Sequence, residues 1–245
     1  MAVNYKPRTV TDGLIFALDA ANTKSYPGSG DTWTDTVGGK NATRTNSSEV
    51  VYNSNGWFDW TDGPGNDSTQ GCFTLPGNSF TLGANFTIEV WNYYDSSTDP
   101  DTNPFSGPNL WTNSANGDWN IGAGNYNGLL FGFTAIRFFS NINTQQNATY
   151  NPIPSLQTWH QHVLVANNNT NGTVYVDGTP VASLSAIKTY GQSNGTLGIG
   201  IADKFGSNYR GEYNGYISIV RVYQKALTQE EILQNFNALR GRYGI

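Results

Sequence analysis

Apolar and polar residues alternate in short runs along most of the chain, the period-2 pattern of strands with one buried face. In Phe86–Tyr94, Phe86, Ile88 and Val90 share one face, while Thr87, Glu89 and Trp91 share the other. Shorter runs at Leu14–Leu18, Gly128–Phe133 and Ile136–Phe139 predict further strands. The most legible unit lies between Trp159 and Leu184. There Trp159–Ala166, Thr173–Val176 and Pro180–Leu184 predict three strands, separated by a polar turn and by Asp177-Gly178. Asp-Gly supplies the positive φ angles of a two-residue hairpin, so the unit reads as an antiparallel meander. Two more strands are expected at Thr196–Ile201 and Tyr213–Tyr223.

Only the chain's end carries a helical pattern. Thr228 followed by Glu231 forms a capping box, in which the hydroxyl takes the amide of Glu231 and the carboxylate reaches back to the amide of Thr228. Ile232, Leu233, Phe236 and Leu239 follow at helical spacing, and Gly241 marks a stop, which predicts a helix over 228–240. Many strands, Gly-rich turns and one late helix make an all-β, antiparallel two-sheet β-sandwich with one short C-terminal α-helix. Residues 12–245 form one domain preceded by an N-terminal arm over 1–11; no internal repeat, linker or heptad run divides them. Asp95–Asp118 is the longest weakly patterned stretch and reads as a loop of the length that often carries function.

Composition narrows the surface. Charged residues make up 13% of the chain, about half the roughly 25% of an average domain, so the polar surface is built from amides and hydroxyls. The net charge is −5 and no Lys/Arg cluster occurs, which argues against nucleic acid as a partner. No run approaches the ~20 apolar residues of a membrane span, and the start lacks a secretory apolar stretch. The expectation is a protein made and kept in the cytosol. The single cysteine, Cys72, cannot form an internal disulfide and reads as a small buried hydrophobe.

Four pieces occur together in order: Asp12–Asn22 (DGLIFALDAAN), Phe86–Trp91 (FTIEVW), Trp159 leading to Tyr175–Gly178 (YVDG), and Tyr216–Ile232 (YISIVRVYQKALTQEEI). Together they resemble the concanavalin-A-like lectin/glucanase superfamily, in particular its laminin-G-like jelly-roll branch. The two ends are narrower in flavour. Asp12–Asn22, its continuation Lys24–Asp35 (KSYPGSGDTWTD) and the close Asn235–Ile245 (NFNALRGRYGI) are similar to virion structural proteins of tailed bacteriophages. The resemblance implies a domain displayed on a virion, made in the host cytoplasm and contacting the major capsid protein or tail proteins. A homo-oligomer or a symmetric lattice is then expected.

The same fold invites glycoside hydrolysis, which needs a pair of carboxyl groups set about the scissile bond. Glucanases of this fold space them as Glu-x-Asp-x-x-Glu; here Glu89 stands alone, with Trp91 where an Asp should be. No Gly-x-Ser-x-Gly elbow occurs. His160 and His162 lie two apart on one strand face, without a nominated third metal ligand, and read as a solvent-facing or hydrogen-bonded pair. No cofactor and no catalysis are therefore expected. Calcium stays open, because lectins and laminin-G-like domains hold it in loops, and Asp95, Asp99, Asp101, Asp118 and Asp203 read as loop carboxylates.

Recognition would use aromatic faces among amides. Phe105, Trp111, Trp119 and Tyr126, set among Asn103, Asn109, Asn113, Asn116 and Asn125, are the candidates for binding a glycan or a protein partner. Trp33, Trp57, Trp60, Trp91 and Trp159 read as core or sheet-packing residues. Two functions remain: a capsid decoration or cement subunit acting through protein–protein contacts, and a lectin-like module of a tail or capsid fibre contacting host surface polysaccharide.

Overall fold

The computed structural model describes residues 7–60, 71–76, 82–95, 109–113, 127–131, 135–140, 145–168, 170–185, 187, 196–205, 208–212 and 215–245. In chain order the strands are β1 Leu14–Asp19, β2 Thr32–Trp33, β3 Ala42–Arg44, β4 Val50–Asn53, β5 Trp57–Trp60, β6 Phe73–Pro76, β7 Phe86–Tyr94, β8 Asn109–Asn113 and β9 Asn127–Phe131. They continue with β10 Ala135–Ser140, β11 Gln145–Thr149, β12 Trp159–Asn167, β13 Asn171–Val176, β14 Thr179–Ser185, β15 Thr196–Ile199, β16 Ile201–Phe205, β17 Asn208–Glu212 and β18 Gly215–Tyr223. One helix, α1, spans Gln229–Leu239, followed by a 3₁₀ turn at Arg240–Arg242.

Two antiparallel sheets face each other. The first runs β14-β13-β12-β7-β18-β5-β4, with β1 also on β18; the second runs β11-β10-β9-β8-β15-β6-β3-β2, and β16–β17 form a separate hairpin. The expected β-sandwich is observed. In the first sheet, β5 and β1 share one edge of β18: Gly215–Ile217 pair with β5, and Ile219–Tyr223 pair with β1. Ser218 sits at the register shift between them, and its hydroxyl donates to Gly56 O at 2.6 Å. The bulge thus has its own hydrogen bond, as an interrupted ladder requires.

The meander appears as β12–β13–β14, with both Asp177 (φ 52°) and Gly178 (φ 78°) left-handed in the turn. The long run expected at Thr196–Ile201 is divided at Gly200 (φ 84°), where a Cβ would come within 2.4 Å of the Trp60 ring. Only glycine permits both the turn and the indole's approach. Short strands β2 to β5 were not expected.

Between the sheets, Phe86, Ile88, Val90 and Leu164 of the first sheet meet Phe73, Leu75, Phe131 and Ile136 of the second. The alternate residues of β7, β12 and β18 would face water in a two-layer protein. They do not, because α1 and the chain's two ends lie across them. Val163, Val165 and Tyr223 pack with Ile232 and Val10, while Trp91 and Ile219 pack with Phe236, Leu239 and Tyr243. The capping box forms as the sequence requires, with Glu231 N on the Thr228 hydroxyl at 3.3 Å and Thr228 N on Glu231 Oε2 at 2.9 Å.

Beneath the helix lies Glu89, fully buried. Its Oε1 accepts from Trp91 Nε1 at 3.0 Å and Gln161 Nε2 at 2.9 Å; its Oε2 accepts from Asn235 Nδ2 at 3.0 Å and Tyr223 OH at 3.3 Å. Arg221 Nη1 lies 3.5 Å from Oε1, an ion pair without a hydrogen bond. Burial opposes the Arg221 charge most strongly, but Glu89, with Tyr223, Asp19 and Tyr243, together outweigh it, so Arg221 holds its proton more firmly than usual. Burial first, and Glu89 second, push the Tyr223 phenol well up. Asn235 completes the knot by accepting from Val10 N at 2.7 Å. Of the N-terminal arm expected over 1–11, the part from Arg8 onward is docked: Gln234 Nε2 donates to Arg8 O at 2.6 Å, and Val10 is buried.

Removing one partner of a buried ion pair leaves the other uncompensated, at a cost of about 3–5 kcal/mol. Arg221→Met should therefore lower the unfolding free energy by about that amount in a urea titration. A loss under about 1 kcal/mol would show that the hydrogen-bond donors alone sustain Glu89.

Candidate functional site

The helix covers only part of the outer face. Beyond it, the register of four neighbouring strands brings Trp159 (β12) opposite Tyr93 (β7), Tyr93 opposite Tyr216 (β18), and Tyr216 opposite Asp59 (β5). All four belong to the outward set of their strands. In β5, Phe58 and Trp60 are buried in the core, while Trp57 and Asp59 point the other way and stay half-exposed. The result is a row of three aromatic rings and a carboxylate, with the Trp57 indole beside it.

The rings form one cluster. Tyr93 and Tyr216 are stacked, centroids 4.7 Å apart and planes 19° from parallel. That separation equals the spacing of adjacent strands, so these rings stand up from the sheet and turn their rims outward. Trp57 lies 5.5 Å from Trp159 and 5.9 Å from Tyr216, and Trp159 in turn lies 4.6 Å from Tyr243 beyond the helix end. Such contacts are worth about 0.5–1.5 kcal/mol each beyond area burial, which holds the row rigid before any ligand arrives. Trp159 is 8% exposed; Trp57, Tyr93 and Tyr216 are half-buried, so each keeps some surface in solvent.

Two carboxylates border the row. Asp95 follows Tyr93 by two residues at the end of β7 and is exposed. Burial, and secondly the negative charge of Asp95, raise the proton affinity of Asp59. Burial, then Asp59, Asp95 and Tyr93, raise that of the Tyr216 phenol. Neither carboxylate has a cationic partner among the described residues.

A second polar cluster anchors the segment leading into Trp159. His160 Nδ1 lies 2.6 Å from Asp177 Oδ2, and Asp177 Oδ1 accepts from Gln161 N at 2.9 Å. The carboxylate can only accept, so Nδ1 carries a proton. On the other side, His160 Nε2 faces both Ser155 O at 3.0 Å and Ser155 Oγ at 3.2 Å. Ser155 thus faces this histidine through both its carbonyl and its hydroxyl. His162 is fully buried, with Nδ1 2.7 Å from Asn92 Oδ1 and rings of Tyr94, Phe131 and Tyr150 around it. Burial first, and His160 second, hold its basicity well below the usual value. The two histidines are thus a hydrogen-bonded pair turned to the interior, and the solvent-facing alternative is corrected.

Of the aromatic candidates read from sequence, Phe105, Trp119 and Tyr126 lie outside the described residues. Trp111 lies on β8, between Gly128 of β9 and Gly198 of β15. The loop expected over Asp95–Asp118 therefore contains a strand. Among the loop carboxylates considered for calcium, Asp203 lies on strand β16 opposite Arg210, and Asp99, Asp101 and Asp118 lie outside the described residues. No group of three or more His, Cys, Asp or Glu side chains able to hold a metal occurs among the described residues. Glu89, the carboxylate examined for hydrolysis, is sealed under α1. The row itself was missed: Trp57 and Trp159 read as packing residues, and Tyr93 and Tyr216 as ordinary strand positions. The alternation Trp57-Phe58-Asp59-Trp60 was the available signal, since it puts a Trp and an Asp together on one face.

A laminin-G family model, described as the concanavalin A-like lectin/glucanases superfamily, matches residues 66–233. No curated protein sequence matches the chain. Among solved structures, domain 4 of AbnA, an extracellular arabinanase of Geobacillus stearothermophilus in complex with arabinotriose, superposes with a TM-score of 0.61 at 13% identity, covering 91% of this chain and 97% of that one. Trypanosoma rangeli sialidase in complex with sialic acid gives 0.56 at 16% identity and covers 96% of this chain, which spans 34% of the sialidase. The binding domain of botulinum neurotoxin DC in complex with SialylT gives 0.58 at 16% identity, covering 93% of this chain and 51% of that one. At these identities the likeness is one of fold.

Asp59 holds its proton more tightly folded than unfolded. Between the ordinary carboxylate value and the raised folded one, the folded state binds more protons, so this group's contribution to stability falls as pH rises. Asp59→Asn should accordingly melt at or above the parent temperature at pH 7, an advantage that vanishes near pH 3, about where Asp is protonated in both states. Circular-dichroism melts across that range check it; a variant that melts lower at pH 7 contradicts the electrostatic account.

Proposed function

The chain belongs to the concanavalin A-like lectin/glucanases superfamily, and from that premise we propose that it is a non-enzymatic recognition domain that binds a glycan across the outer-face aromatic row. The observation that carries this reading is the register itself, which aligns Trp159, Tyr93, Tyr216 and Asp59 on four neighbouring strands and sets Trp57 beside them. Sugars present apolar C–H surfaces and hydroxyls together, and are held by aromatic surface with a few fixed polar groups at its margin. A rigid sheet face with carboxylates at one side supplies both, with little conformational entropy to lose on binding. The burial of Glu89 removes the carboxylate that a hydrolytic reading would have used. Three proteins of the same fold bear sialic acid, arabinotriose or SialylT in their structures, which agrees with a glycan ligand here.

A second reading concerns where the domain is displayed. The likeness of its two ends to tailed-phage virion proteins supports a subunit on the particle, contacting major capsid or tail proteins. Arg8 is held at α1 by Gln234, whose Nε2 donates to Arg8 O.

Glycan microarray and affinity electrophoresis against envelope polysaccharides test the first reading. Tyr216→Ala should weaken retention about tenfold, near 1.4 kcal/mol, at a temperature well below the variant's melting point, which the lost ring contacts lower. If Trp111→Ala combined with Trp119→Ala abolishes retention and Tyr216→Ala does not, the site lies elsewhere. For the second reading, quantitative mass spectrometry of purified particles should find this chain in a fixed ratio to the major shell protein. Its absence from particles would end that reading.

A further inference from the structure

The charge around the row says more about its ligand than the rings do. Asp59 stands in register with Tyr216, and the exposed Asp95 follows directly on Tyr94, the last residue of β7. Among the described residues, Arg221 and Arg242 of the outer face pair with Glu89 and Asp19, and Arg240 lies over the Phe236 ring. His160 points inward, to Asp177.

We propose that the row takes a glycan bearing free amino groups, such as a partly de-N-acetylated amino-sugar polymer, and discriminates against carboxylated sugars. This rests on the glycan-binding reading of the same row. Three physical terms point the same way. The negative faces of Trp and Tyr rings, not their positive rims, attract an ammonium through the quadrupole, and Trp57 is the half-exposed indole beside the row. Asp59 and Asp95 carry like charge, and the charge of Asp95 already raises the proton affinity of Asp59, so a cationic ligand at the row relieves that repulsion. A sialic acid or uronic acid carboxylate would instead add a third negative charge to an acidic surface. The ligands named for the sialidase and toxin structures are therefore poor guides to this chain's own.

The test is isothermal titration of the full chain, at pH 6 and at low and moderate salt, with three probes: a chitosan hexamer, the fully N-acetylated hexamer, and a sialyllactose. The expected result is binding of the chitosan hexamer at least tenfold tighter than the acetylated one, no measurable binding of the sialylated sugar, and a preference that shrinks as salt rises. Asp59→Asn with Asp95→Asn should bring the chitosan hexamer down to the affinity of the acetylated hexamer. Tyr216→Ala should weaken both hexamers. Equal affinity for the two hexamers, lost together in Tyr216→Ala, would overturn the charge selectivity and leave the glycan-binding reading standing. A chitosan preference that survives both sets of substitutions would show attraction to the net negative surface at large, and would also overturn the inference. Tight binding of the sialylated sugar at the row would do the same. Failure of every glycan to bind would remove both readings.

Discussion

A carboxylate inside a protein has to be saturated with donors and balanced in charge, and Glu89 meets that demand with groups from every element that crosses the outer face of the first sheet. Trp91 comes from its own strand, Gln161 and Arg221 from the strands on either side, and Asn235 from the helix. Asn235 also takes the amide of Val10, so the N-terminal segment is held by the same residue that holds the helix. The capping box at Thr228 fixes where the helix begins, and Glu89 fixes where it lies. The chemistry that makes this glutamate unfit for hydrolysis makes it a structural centre.

The aromatic row is a consequence of where that cover ends. Helix α1 stops at Leu239, and the 3₁₀ turn brings Tyr243 against both Trp91 and Trp159. The next positions along the same strands have no helix above them, yet their rings remain stacked on one another. Rings that would otherwise be covered are half-exposed on a surface fixed by four strands. The His160–Asp177–Ser155 contacts pin the segment entering β12 and so fix the row's most buried member, Trp159. The row is thus fixed by its strands and by its own ring contacts.

The charge pattern gives the surface its character. A chain with few ionisable groups has placed two carboxylates beside this half-buried aromatic row, with Arg221 and Arg242 paired to other carboxylates. The low overall charge makes this local excess the dominant field at the row, because few other charges compete with it.

The sequence by itself determined a large part of the fold. Phe86–Tyr94, the meander from Trp159 to Leu184 and the capping box at Thr228 were each specified within a few residues, where alternation, Asp-Gly and a Thr/Glu pair act locally. Period-2 alternation also showed that Glu89 and Trp91 share a face. It could not show that this face is covered, since a face buried under a helix and a face buried in a sandwich read alike. Nor could it show the row, because Trp57, Tyr93, Trp159 and Tyr216 are far apart in the chain and meet only through strand order and register. Those are set by the packing of the whole domain: the inward face of each strand is dictated by its own residues, but its neighbour across the sheet is chosen by all the others.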